Sequence, residues 1–142
     1  MVDIAASVLA KLKNKAKASG ISYQQCLQLF FQEEFLRRLA GSKYAENFVL
    51  KGGLFIYTLT NFESRATVDV DFLMRGLNND MPRMDEIIAE ILSVDTGNDF
   101  LTLKATRTEP IAVQRKYHGI STQITGYIKN VRVPFNVEYW CW

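Results

Sequence analysis

The stretch Ala66-Thr67-Val68-Asp69-Val70-Asp71-Phe72 decides how this chain is read. Apolar and polar residues alternate through it, which is the period of a half-buried β-strand. Val68, Val70 and Phe72 share one face, and Thr67, Asp69 and Asp71 share the other. Aspartates two apart on a strand point the same way, with Cα atoms about 6.5 Å apart. Aspartate is depleted in strands and like charges repel, so the pair is costly unless something uses it. A hard divalent cation such as Mg²⁺, which takes carboxylate oxygens, is one such use.

Upstream, the apolar run Phe48-Val49-Leu50 leads through Lys51 into the pair Gly52-Gly53. Without Cβ atoms, two glycines let backbone N–H groups approach a phosphate closely. Leu54 to Leu59 is apolar nearly all round, which predicts a buried helix beginning at the glycines and offering them its positive N-terminal end. Downstream, Val131, Val133, Phe135 and Val137 alternate with Arg132, Pro134, Asn136 and Glu138. That strand carries a third acid, Glu138, which completes a metal site if the strand pairs beside the aspartates. Phosphoryl and nucleotidyl transfer need charge neutralised on in-line oxygens, and carboxylate-held metal ions do most of that. Taken singly, each piece has a plain structural reading. A glycine pair is most often a tight turn, an Asp-x-Asp alone is a weak motif, and a lone Glu is usually a solvated strand residue. Their order along the chain is the outline of a nucleotidyl-transfer site.

The remaining segments predict the frame around that outline. Asp3 is an N-cap candidate, Ile4, Val8, Leu12 and Ala16 recur at helical spacing, and Gly20 is a stop. Lys11, Lys13, Lys15 and Lys17 decorate this helix, as a solvated face or as an RNA-facing patch. Ser22 caps a second helix to about Ala40 that buries Leu27, Phe30, Phe31, Phe35 and Leu39. A turn follows the acidic strand at Gly76 to Asp80. Pro82 then starts a helix with Met84, Ile87, Ile88, Ile91 and Leu92 on one face, broken by Gly97-Asn98. Phe100 to Thr108 alternates as a strand. Ile120, Ile124 and Ile128 alternate before a turn at Lys129-Asn130. The sum is an α+β domain, a mixed sheet with two leading helices, spanning 1–142 as a helical lead-in (1–41) and a sheet-bearing core (42–142).

The length of 142 residues suits one domain, and nine Phe and six Tyr can fill its core. A net charge of +2 does not by itself argue for nucleic acid. Cys26 and Cys141 have no metal-ligand spacing and read as free thiols of a reducing cytoplasm. The lone His118 reads as a turn or surface residue. No apolar run approaches the roughly 18 residues of a membrane span. The lysine-bearing N-terminus lacks the apolar core of a signal peptide, so a cytoplasmic protein is expected.

The joined motif Leu50-Lys51-Gly52-Gly53 with Arg65-Ala66-Thr67-Val68-Asp69-Val70-Asp71 resembles the AbiEii toxin family of nucleotidyltransferase-like proteins, whose pattern is L-K-G-G…R-x-T-x-D-x-D. The likeness extends to the leading helices, to Tyr117-His118-Gly119 and to Val133-Pro134-Phe135-Asn136-Val137-Glu138. It implies a polymerase-β-like nucleotidyltransferase fold and a toxin role in type IV toxin–antitoxin or phage-defence (abortive infection) systems. It also implies one or two Mg²⁺ ions, a nucleoside triphosphate, a tRNA 3′ end or other RNA as acceptor, and an antitoxin partner. On this resemblance Asp69, Asp71 and Glu138 are the catalytic and metal residues. Gly52, Gly53, Lys51, Arg65 and Thr67 line the phosphates, with Lys51 and Arg65 otherwise surface or ion-pair charges.

Two departures stand out. Leu54 replaces the usual hydroxyl residue after the glycines, and Glu138 replaces the usual Asp. Family members continue into a helical C-terminal half, so the resemblance is to a relative lacking that half. The alternative is a catalytically inactive module that binds another protein, with Trp140 and Trp142 at its interface.

Overall fold

The structure is a computed structural model that describes residues 3–50, 69–77, 80–114 and 117–141; at 69, 112–114, 117, 118 and 141 it describes the backbone. Among these residues three helices and five strands follow in the order α1 (Ile4–Ser19), α2 (Tyr23–Ala40), β1 (Phe48–Leu50), β2 (Asp69–Met74), α3 (Met81–Leu92), β3 (Thr102–Gln114), β4 (Tyr117–Ile128) and β5 (Val131–Cys141). The strands form one mixed sheet ordered β1-β2-β5-β4-β3. The expected α+β architecture with two leading helices is what the described residues adopt.

Helix ends follow side-chain chemistry. Asp3 accepts from the Ala6 amide and Ser22 from the Gln25 amide, each taking up an orphan N–H of a first turn. Gly20 closes α1 in the left-handed region at φ 75°, where glycine carries no Cβ penalty. Asp80 caps α3 through the Arg83 amide, with Pro82 in the first turn, where a missing N–H costs nothing.

The three described helices lie over one face of the sheet. Their apolar residues join Val70, Phe72 and Met74 of β2, Val133, Phe135, Val137 and Tyr139 of β5, and Ile120, Ile124 and Ile128 of β4 in one core. Helix α2 packs on β5 and α3, and α3 reaches β3. At Gly126 the fit is so close that an added Cβ would stand 2.3 Å from the ring of fully buried Phe31. Helix α1 sits at the margin, with Val8, Leu9 and Leu12 against the core, while Ile4, expected on its inner face, is 55% exposed.

The margin of this core holds a buried ion pair. Arg38 Nε donates to Glu34 at 2.9 Å, and Thr96 Oγ1 and Asn98 Nδ2 donate to the same carboxylate at 2.6 and 2.9 Å. Arg38 also donates to the Leu92 carbonyl, so this knot ties α2 to the end of α3. Burial pushes the Glu34 carboxyl up, but the bonds from Thr96, Asn98 and Arg38 more than offset it and hold it below the usual range.

Beyond the described residues lie the helix expected at Leu54 to Leu59 and part of the Gly76 to Asp80 turn. The third helix ends at Leu92, before Gly97-Asn98, and β3 runs past Thr108 to Gln114. Cys26 is a buried free thiol, its pKa raised by burial against an opposing effect of Lys15. Among the described residues no helix is long and apolar enough to cross a membrane.

Candidate active site on the open face of the sheet

Strand β2 is held from both sides. Edge strand β1 pairs with it antiparallel, Val49 opposite Leu73, and Asn47 fixes the end of that ladder. The Asn47 side chain donates to the Arg75 carbonyl at 2.8 Å, and the Arg75 amide donates to the Asn47 carbonyl at 2.8 Å. Tyr44, just before β1, donates through its hydroxyl to Glu90 of α3 at 2.6 Å. On its other side β2 runs parallel to β5, with Asp69 opposite Asn136, Asp71 opposite Glu138 and Leu73 opposite Trp140.

Parallel pairing puts opposed residues on the same face of the sheet, on strands about 4.8 Å apart. Asp71 and Glu138 therefore stand side by side on the face that the described helices leave uncovered. Strand β4 extends the pattern, because Gln123, Ser121 and Gly119 pair with Asn136, Glu138 and Trp140. Strand β3 adds Arg107 beside Gln123, Glu109 beside Ser121 and Ile111 beside Gly119. The open face is thus a grid of rows across the strands. One row runs through Asn136, Gln123 and Arg107 beside position 69. The next runs Asp71, Glu138, Ser121, Glu109. The third runs Leu73, Trp140, Gly119, Ile111.

The acidic row has a stiff backing. On the opposite face, Phe72 and Tyr139 are fully buried, and Phe48 meets both edge-to-face at centroid distances of 5.6 and 5.7 Å. Phe35 of α2 joins them through Phe72 at 6.2 Å and Phe135 at 6.4 Å. Burial drives the Tyr139 phenol far above its usual range and keeps it neutral. Close-packed aromatics on locked rotamers hold the backbone of β2 and β5, and with it the spacing of the two acids.

One atom in the acidic row is unsatisfied. Asp71 Oδ1 is shut off from water, and no donor among the described residues reaches it. A buried carboxylate oxygen without a partner is costly, and two acids in adjacent positions add repulsion. A hard cation removes both costs at once, since it takes carboxylate oxygens directly. Asp71 and Glu138 fit such an ion in donor type and in position. Among the described residues no three His, Cys, Asp or Glu side chains converge to hold a metal ion. Asp69, the third expected ligand, is placed by its backbone, one register step from Asp71.

Of the other expected site residues, Lys51, Gly52, Gly53, Arg65 and Thr67 lie outside the described residues. The pairing of β5 beside the aspartate strand, the condition on which a role for Glu138 rests, is the arrangement observed. Ser121, Gln123 and Arg107 were not singled out by the sequence. The alternation in β3 and β4 exposes them, but the register that aligns them with the acids does not follow from alternation.

The family model described as "Nucleotidyl transferase AbiEii toxin, Type IV TA system" matches residues 34–140, more than half of the chain. The match starts at Glu34, on the inner face of α2, and takes in the whole acidic row. No curated protein and no solved structure matches the sequence.

Proposed function

The chain belongs to the AbiEii nucleotidyltransferase toxin family, and from that premise we propose that the acidic row of β2 and β5 is a Mg²⁺-dependent nucleotidyl-transfer site on a polymerase-β-like fold. The observation that carries this reading is the parallel register that sets Asp71 beside Glu138, with Asp71 Oδ1 buried and without a donor among the described residues. Asp71 and Glu138, with Asp69, would hold one or two Mg²⁺ ions. Bound there, the metal supplies charge neutralisation on the phosphate oxygens and on the leaving pyrophosphate.

The chain's own residues do the rest. The backbone amides of Gly52 and Gly53 cradle the triphosphate, with Lys51, Arg65 and Thr67 on its oxygens. An acceptor hydroxyl, on the tRNA 3′ end, on another RNA or on a protein, attacks the α-phosphorus. The new O–P bond forms as the bond to the β-phosphate oxygen breaks. One of the acids takes the hydroxyl proton, and pyrophosphate leaves. Ser121, opposite Glu138 on β4, would hydrogen-bond the reacting groups, with Gln123 one row along. A type IV antitoxin and a nucleoside triphosphate are then the expected partners, and the site belongs to a cytoplasmic toxin.

Calorimetric titration with Mg²⁺ and ATP tests the site directly. Binding heat is expected for the parent chain and its loss for Asp71→Asn and for Glu138→Gln. Identical heats for all three proteins would overturn the reading. A parallel assay follows transfer of an α-labelled nucleotide to tRNA, which should vanish in Asp71→Asn.

A further inference from the structure

The third row of the open face is unlike the other two. Asn136, Gln123 and Arg107 are polar, as are Asp71, Glu138, Ser121 and Glu109, yet the next row is Leu73, Trp140, Gly119 and Ile111. Leu73, Trp140 and Ile111 are all half-buried. The sheet itself separates them from the helix-covered core, so they do not complete it.

Trp140 is the centre of this shelf, and Gly119 makes room for it. A Cβ at position 119 would stand 2.8 Å from Trp140 Cε3 and Cζ3 and 3.0 Å from Ile111 Cδ1. Real Cβ atoms do not sit that close, so only glycine lets the indole settle onto β4. The shelf begins two residues along β5 from Glu138, about 6.7 Å away. A ribose separates the α-phosphate of a nucleotide from its base by a comparable length.

The geometry points to Trp140 as the platform on which a nucleobase of the triphosphate stacks, flanked by Leu73 and Ile111, while its phosphates lie at the acidic row. This rests on the nucleotidyl-transfer reading and adds the base subsite to it. A flat apolar platform gives affinity through the π-face that every base has. It therefore predicts nucleoside triphosphate binding with modest discrimination among bases, the polar edge of each base being left for Ser121 or solvent.

The test compares Mg²⁺-nucleoside triphosphates with Mg²⁺-tripolyphosphate, which has the phosphates and no base. In a Trp142→Phe chain, the remaining tryptophan, Trp140, should be quenched by each nucleoside triphosphate and not by tripolyphosphate. Trp140→Leu keeps an apolar cover over Gly119 but cannot stack. It should weaken nucleoside triphosphate binding roughly 5- to 150-fold and leave tripolyphosphate unchanged, whereas Trp140→Phe should retain most of the affinity. If Trp140→Leu binds both ligands like the parent chain, or loses both equally, the base platform is overturned and the phosphate site stands. If the parent chain binds neither ligand, the site and the platform both fall.

Discussion

Strand β4 carries two glycines under aromatic rings, and they face opposite ways. Gly126 lies beneath fully buried Phe31 on the helix-covered face, and Gly119 beneath half-buried Trp140 on the open one. The carboxylates show the same division. Glu34, at the margin of the covered face, accepts from Arg38, Thr96 and Asn98. Asp71 Oδ1, on the open face, is just as shielded from water and accepts from no described residue. The Glu34 carboxylate is satisfied from within, whereas Asp71 Oδ1, like the Tyr139 hydroxyl on the covered face, meets no hydrogen-bond partner among the described residues. A buried group satisfied by its neighbours contributes to stability, whereas one that is not costs stability unless a ligand meets it.

The largest break in that comparison should come from Glu34→Ala. It strands a buried guanidinium and two donors, and should cost about 3–5 kcal/mol of unfolding free energy in a denaturant titration. The same carboxylate governs acid stability. Its folded-state pKa is depressed, so its contribution is complete above the usual glutamate value of 4.5 and is lost as pH falls through the lower folded value. Between those two values the parent chain should lose stability more steeply, as pH falls, than Glu34→Gln.

Gly126→Ala comes next, because Phe31 is fully buried and has nowhere to move. Overpacking of this kind costs about 1–3 kcal/mol. Gly119→Ala meets a half-buried ring that can shift, so its thermal midpoint should fall less than that of Gly126→Ala. Equal losses would mean that the two faces are packed alike.

The smallest effect should have the opposite sign. Without added metal, Asp71→Asn removes a half-buried charge and its repulsion with Glu138, and should raise stability by about 1 kcal/mol. The same substitution should abolish the further stabilisation that Mg²⁺ with nucleotide gives the parent chain. A destabilised Asp71→Asn would mean that Asp71 is satisfied in the free protein after all.

Much of the frame was legible because its signals are local. Asp3, Gly20, Ser22 and Pro82 mark helix ends through backbone chemistry that needs no partner. Val131 to Val137 and Ile120 to Ile128 alternate on either side of Lys129-Asn130, where Lys129 takes φ 53° in the observed turn. The end of β3 was not legible, because its pairing with β4 carries it through Pro110 to Gln114, and an outer strand tolerates a residue without an N–H. The Glu34 knot was hidden for a related reason. Glu34 and Arg38 show helical spacing, but Thr96 and Asn98 reach them only once α3 has docked. Within the site, the acids were legible from their chemistry, and the neighbours on β3 and β4 were not, since register is a property of two strands.

The position of β5 also sets an order of events. It is the last described strand in sequence, yet it lies in the middle of the sheet, between β2 and β4. Nothing can join Asp71 to Glu138 until that strand has slid into the gap, and closing so long a loop is slow. A chain still emerging from the ribosome, with β5 inside the exit tunnel, therefore has its aspartates but no acidic row.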